Sequence, residues 1–376
     1  MTKRLLYYNP HRLNQPASQR LPGIRRFSQL FAVIDRTISL VDRTHTLTLP
    51  VGVHSLFPLP ALIPLARTFE DLCNERAVEL LRRAEALNVR LYVFWSGGID
   101  STLVLVSLLK NATPRQLTNL VVLMSQESIS EYPKFYNEYI RGKLQVDSSV
   151  MFPYLLGGRH LVVNGEHNDQ LFGSDMVGKL VVRFGAEVMH RPYDRDLFFR
   201  FFDGNINDRD ATNFSLDRFE QLRAAAPVPI TTNYLHLWWI SFAMKWQAVF
   251  MRTLAYTSPR QVSNIDLGYL NTYYAPFYCT DAFQLWSMTN LDQKIKDKWS
   301  TYKWVCKDII YDFTKDADYR DNKIKRGSLY FLLLQQTPYY FIDANMTFSR
   351  EMHPSEYHVP VNDFVDEQDK TSQAAA

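Results

Sequence analysis

The stretch Ser96-Gly97-Gly98-Ile99-Asp100-Ser101 lies between an apolar run, Val89 to Trp95, and a second apolar run, Leu103 to Leu109. The first run has the length of a buried strand and the second the pattern of a helix. Two consecutive glycines let the backbone turn sharply and approach an anion closely. Successive backbone N–H groups can then face phosphate oxygens, helped by the positive N-terminal end of the following helix. Ser96 and Ser101 add hydroxyls. Asp100 would repel phosphates on its own, and a Mg²⁺ between them removes the conflict. The GxxxxGK[ST] pattern of ordinary phosphate loops is absent, so transfer of a terminal phosphate is not indicated.

On either side of this loop, strand and helix patterns alternate. Thr68 to Asn88 is expected to be a helix, with Thr68 and Asp71 at capping-box spacing. Asn119 to Met124 and His160 to Asn164 read as strands, with Glu131 to Lys143 as a helix between them. This alternation predicts an α/β fold: a parallel sheet with flanking helices. Beyond about residue 195 the strand signal fades. There, Asp194–Phe202, Leu216–Ala225, Tyr234–Tyr256, Asp281–Met288 and Lys298–Phe313 read as helices. Upstream, Phe31 to Leu49 reads as two short strands, Leu30–Ile34 and Ile38–Val41, or as one hairpin followed by Thr46–Leu49, in a small N-terminal β-containing extension. The domain division expected is 1–85 for that extension and 86–376 for the rest, with a polar tail from Asp363.

The composition narrows the classes. In 376 residues, 46% are hydrophobic and 22% charged, which is too apolar for a disordered chain. A net charge of +3 makes no case for bulk nucleic-acid binding and leaves a local basic patch open. Cys73, Cys279 and Cys306 are too far apart in sequence for a CxxC site or a disulfide framework, which fits a reducing, cytoplasmic setting. Met1 to Leu13 lacks the apolar run of a signal peptide. The most apolar segment, Tyr234 to Tyr256, carries His236, Lys245, Gln247 and Arg252, so a buried helix is expected and not a membrane span. The nine histidines show no HxxxH or HExxH spacing for a transition metal.

A second motif follows the His160–Asn164 run: Gly165-Glu166-His167-Asn168-Asp169-Gln170-Leu171-Phe172-Gly173. The first string resembles the SGGxDS loop of the ATP pyrophosphatase (PP-loop) superfamily. The second resembles the GE-x-x-DE-L-F-G motif of the synthetase domain of asparagine synthetase and β-lactam synthetase, with Gln170 where Glu is usual. Tyr302-Lys303-Trp304-Val305-Cys306-Lys307, followed by Lys323-Ile324-Lys325-Arg326-Gly327-Ser328, resembles that family's KW-rich helix and R-x-K-x-x-F motif. Ala275-Pro276-Phe277 is loosely similar to its PF-L-D segment. The likeness spans about residues 85 to 345.

The resemblance implies an ATP-binding loop at Ser96, Gly97, Gly98, Asp100 and Ser101, with Mg²⁺ held by Asp100 and Asp169. It implies that Glu166 orients or deprotonates an incoming amine, the alternative being that it caps the following turn. It gives Lys325 the charge-stabilising lysine role, with Lys323 as a rival. The reaction implied is adenylation of a carboxylate, release of pyrophosphate, and acyl transfer to an amine or ammonia. The family's glutaminase nucleophile, a cysteine after the initiator Met, is Thr2 here. The first 85 residues are too few for that domain, so a partner protein is one possible amine source. The segment between Met124 and His160 is shorter than in asparagine synthetase, which argues against aspartate as the acid. Two other readings stay open: adenylation of a nucleobase or tRNA, and an ATP-binding module without chemistry.

Overall fold

The computed structural model describes residues 3–34, 36–173, 175–323, 338–367 and 369. The chain forms two compact units, each assembled from separate stretches: Met1–Ala61, Gly173–Ala255 and Tyr339–Ala376 in one, Leu62–Phe172 and Tyr256–Pro338 in the other. The Phe69–Leu87 helix, assigned from sequence to the N-terminal extension, belongs to the same unit as the Ser96–Ser101 loop.

The second unit carries a four-stranded parallel sheet, and the protein is α/β. Its strands are Leu91–Phe94, Leu120–Met124, Gln145–Ser148 and Leu161–Val163. Across the sheet they lie in the order third, second, first, fourth. The register pairs Tyr92 with Val121 on one side and with Val162 on the other. The chain therefore builds outward from the first strand in one direction, then crosses back to place the fourth on its other side. This reversal falls between the first and fourth strands, and the carboxyl ends of strands at such a point are where open α/β sheets bind ligands.

The Phe69–Leu87 helix begins on the expected capping box. The Thr68 hydroxyl accepts the Asp71 N–H at 3.1 Å, and the Asp71 carboxylate accepts the Thr68 N–H at 3.0 Å. Asn88, in the left-handed region, ends it. This helix and Trp304–Thr314 both pack on Ile99–Asn111, whose Leu103 to Leu108 are buried. The Gln145–Ser148 strand was not anticipated. It sits at the sheet edge with Val146 exposed, so it lacks the apolar run that marks its neighbours. The expected Glu131–Lys143 helix is broken into Pro133–Phe135 and a π-turn, Tyr136–Ile140, because Pro133 starts a new segment.

In the first unit, Leu5–Tyr8 pairs antiparallel with Phe341–Asp343, which pairs with Phe348–Ser349. The strands expected at Leu30–Ile34, Ile38–Val41 and Thr46–Leu49 are absent. Ile24–Val33 is a helix whose Ile24, Phe27, Leu30 and Phe31 make one buried face at helical spacing, and that periodicity outweighs the β-branched content. Tyr234–Tyr256 is two buried helices, Asn233–Met244 and Trp246–Leu254, that meet at Lys245. Among the described residues no helix is long and apolar enough to cross a membrane.

Candidate active site

Both motif loops leave the sheet at this reversal. Ser96–Ser101 follows the first strand and Gly165–Phe172 follows the fourth, its neighbour. The loops touch through Gly165. A Cβ there would lie 3.0 Å from the carbonyl carbon of Asp100 and 3.0 Å from the Ser101 nitrogen, so any side chain would force the two loops apart by a few tenths of an ångström. Gly97 adopts φ +76°, and a Cβ there would meet the Ser128 carbonyl oxygen at 2.5 Å.

The Ser96–Ser101 loop shapes itself with its own hydroxyls. The Ser96 N–H donates to Ser101 Oγ at 2.9 Å, and the two serine oxygens share a hydrogen bond of 2.9 Å. The Gly98 N–H donates to Ser96 Oγ at 3.3 Å. Gly98 precedes the Ile99–Asn111 helix and supplies no side-chain cap, unlike Thr68 at Phe69–Leu87. The opening N–H groups of a helix have no partner within it, so this end suits an anion.

Asp100 and Asp169, predicted to share a cation, converge on one atom. Lys303 Nζ donates to Asp100 Oδ1 at 2.5 Å and to Asp169 Oδ1 at 2.8 Å. The Lys303 side chain is 1% exposed, while the two carboxylates are 27% and 30% exposed. Burial alone would lower the Lys303 pKa. The two carboxylates overcome that penalty and hold it above the usual lysine range. Asn168, fully buried, donates from Nδ2 to Asp100 Oδ1 at 2.7 Å, and the Tyr302 hydroxyl donates to Asp169 Oδ1 at 3.2 Å. Behind the loop, the Tyr278 hydroxyl donates to the Asp100 carbonyl at 3.0 Å and the Tyr319 hydroxyl to the Gly97 carbonyl at 3.1 Å. Ala275-Pro276-Phe277 runs past the end of the fourth strand, with N–H groups of Ala275 and Phe277 donating to Val162 and Asn164.

Lys303 was quoted in the KW-rich string without a role. It precedes the Trp304–Thr314 helix with a left-handed backbone, φ +58°, and its amine reaches carboxylates more than 130 residues upstream. A lysine before a helix gives no sequence signal of that reach. Asn168, at an unspecified position of the second motif, was likewise missed.

Glu166 is half-buried on the second loop, and its N–H donates to Asn164 Oδ1 at 3.1 Å. Lys325 lies outside the described residues. Its rival Lys323 forms a half-buried ion pair with Glu131, 2.7 Å apart. The pair adjoins the loop, since a Cβ on Gly97 would lie 2.9 Å from Glu131 Cβ.

Hard divalent cations take carboxylate oxygens and tolerate water and phosphate in the remaining positions. Asp100 and Asp169 already close on a single cation, and the buried Asn168 Oδ1 has no hydrogen-bond partner among the described residues. Among the described residues no cluster of three or more His, Cys, Asp or Glu forms a metal cage. Two carboxylates could hold a hard divalent cation here only with other oxygens, such as water or phosphate, completing its shell. No protein-family model matches the chain, and no curated protein matches it.

Proposed function

We propose that this protein is an AMP- and pyrophosphate-forming amide ligase with a PP-loop synthetase fold. The observation that supports it most is the closure of Asp100 and Asp169, from loops on adjacent parallel strands, onto one cationic atom beside a glycine loop.

In this reading the ATP phosphates lie over Ser96–Ser101, at the N-terminal end of Ile99–Asn111. A substrate carboxylate oxygen attacks the α-phosphorus, the bond to the β-phosphate oxygen breaks, and pyrophosphate leaves. Asp100 and Asp169 would hold Mg²⁺, which would supply positive charge to the phosphate oxygens. An amine nitrogen then attacks the acyl carbon, its proton passes to Glu166, and the acyl–oxygen bond breaks to release AMP. Lys303 and the Lys323–Lys325 segment supply positive charge where phosphate and acyl oxygens become more negative. Preorganised charge of this kind is commonly the largest contribution to such a reaction. The remaining work is positioning.

The experiment uses α-labelled ATP, Mg²⁺ and pools of carboxylic acids and amines, with Asp100→Asn alongside. Labelled AMP that depends on one pool and is lost in the variant is the expected result. Labelled ADP would refute the reading. ATP binding with no AMP from any pool would favour a module that binds nucleotide without turning it over.

A further inference from the structure

The position that a shared divalent cation would take between Asp100 and Asp169 is held by the ammonium of Lys303. The amine arrives from the protein side, with its side chain buried, whereas both carboxylates keep an open face toward solvent. Asp100 Oδ1 already accepts from two donors, Lys303 and Asn168. A divalent cation entering alone would meet a buried positive charge on the same oxygens, in a setting where like charges repel more strongly than in water. The Lys303 amine would have to leave its two carboxylates without another anion to receive it.

We propose that Lys303 is a built-in counter-ion that excludes a free divalent cation from Asp100 and Asp169 until polyphosphate arrives with it. This rests on the assignment of ATP and Mg²⁺ to the site. Phosphate oxygens over the Ser96–Ser101 loop give the ammonium a new anionic partner, and the carboxylates pass to the metal. Metal and nucleotide thus bind as a unit, and each raises the affinity of the other by the same factor. The tyrosine hydroxyl of Tyr302 and the amide of Asn168 keep the carboxylates oriented through the exchange.

The test titrates Mn²⁺ into the full chain, following free Mn²⁺ by electron paramagnetic resonance, with and without α,β-methylene-ATP. Free wild-type protein is expected to bind Mn²⁺ only weakly. Lys303→Met, without nucleotide, is expected to bind one Mn²⁺ at least about tenfold more tightly, within the usual span of coupling factors. That gain should vanish in Lys303→Met combined with Asp169→Asn. Equal Mn²⁺ affinity in wild type and Lys303→Met would overturn the inference. So would a tight Mn²⁺ site in nucleotide-free wild type that Asp169→Asn removes, a result that decides the matter even if Lys303→Met does not fold. The nucleotide arm separates the two levels. Nucleotide-dependent Mn²⁺ binding that is lost in Asp100→Asn and Asp169→Asn sustains the site assignment whatever Lys303 does. Binding that survives both substitutions refutes the assignment itself.

Discussion

Lys294 and Lys303 are both buried lysines of the same unit, yet their surroundings give them opposite chemistry. Lys294 Nζ donates to the carbonyls of Leu171 and Ser287 and to the Ser287 hydroxyl, each at 2.7 Å. These carbonyls belong to the last turns of the Asn168–Phe172 and Asp281–Thr289 helices, where carbonyls have no partner within the helix. Burial pushes the Lys294 pKa well below the usual range against the smaller opposing pull of Asp292. Lys303 meets two carboxylates instead, and its pKa rises. An amine among carbonyls braces a fold. An amine between two partly exposed carboxylates is held as a cation.

The sharpest way to separate the two lysines is to remove each. Lys303→Met is expected to lower AMP formation by about 10²–10³-fold, the usual loss when one preorganised charge is deleted. It should also destabilise the metal-free protein by about 3 kcal/mol, because two carboxylates lose their counter-charge. Lys294→Met should leave AMP formation within about tenfold of wild type, in line with a role outside the transition state. Labelled-ATP turnover and urea unfolding of both variants check this. Equal loss of activity in the two would erase the distinction.

Next in size is Gly165→Ala. A methyl group there pushes the second loop off Asp100 and Ser101, so Asp100 and Asp169 no longer close on one cation. Misplacement of about 1 Å can cost about 10² in rate. The expected signature is a fall in kcat of about 10² in a protein that still unfolds cooperatively in urea.

The lysines also predict different pH dependence. The folded state favours neutral Lys294, so its contribution is full above the ordinary value of 10.5 and declines as pH falls toward its lowered folded value. Lys303 behaves the other way. Its contribution is full below 10.5 and is lost only as pH rises through its raised folded value. Unfolding measured at stepped pH from neutrality up to 10.5 should therefore show wild type gaining on Lys294→Met. The difference from Lys303→Met should stay flat over the same interval. Loss of the Lys294 contacts is itself expected to cost about 1–3 kcal/mol.

Thr68→Ala is the smallest perturbation. It removes the cap of Phe69–Leu87 and should cost about 1 kcal/mol by thermal or urea unfolding, with AMP formation unchanged.

These contrasts follow what the amino-acid sequence discloses and what it does not. The Thr68–Asp71 cap is local chemistry and reads directly. So do the buried parallel strands, whose apolar runs stand out, and the two loops that follow them. The Ile24–Val33 helix was hidden because its β-branched and aromatic residues suit a strand as well, and only the i, i+3, i+7 spacing distinguishes the two. The Leu5–Tyr8 sheet was hidden because its partner strand lies more than 330 residues away. In the candidate site, Asp100 and Asp169 were legible from motif context. Lys303 and Asn168 were not, because their roles arise only when separate loops meet. Lys294 gave no signal either, since carbonyl partners are available along the whole chain.

The most direct test of the central claim is exchange of labelled pyrophosphate into ATP, with Mg²⁺ and the carboxylic-acid pools but no amine, in wild type, Asp100→Asn and Asp169→Asn. The account predicts acid-dependent exchange in the wild type that falls by at least about 10²-fold in both variants. Exchange that persists in both variants, or cleavage of ATP to ADP in place of exchange, would contradict it.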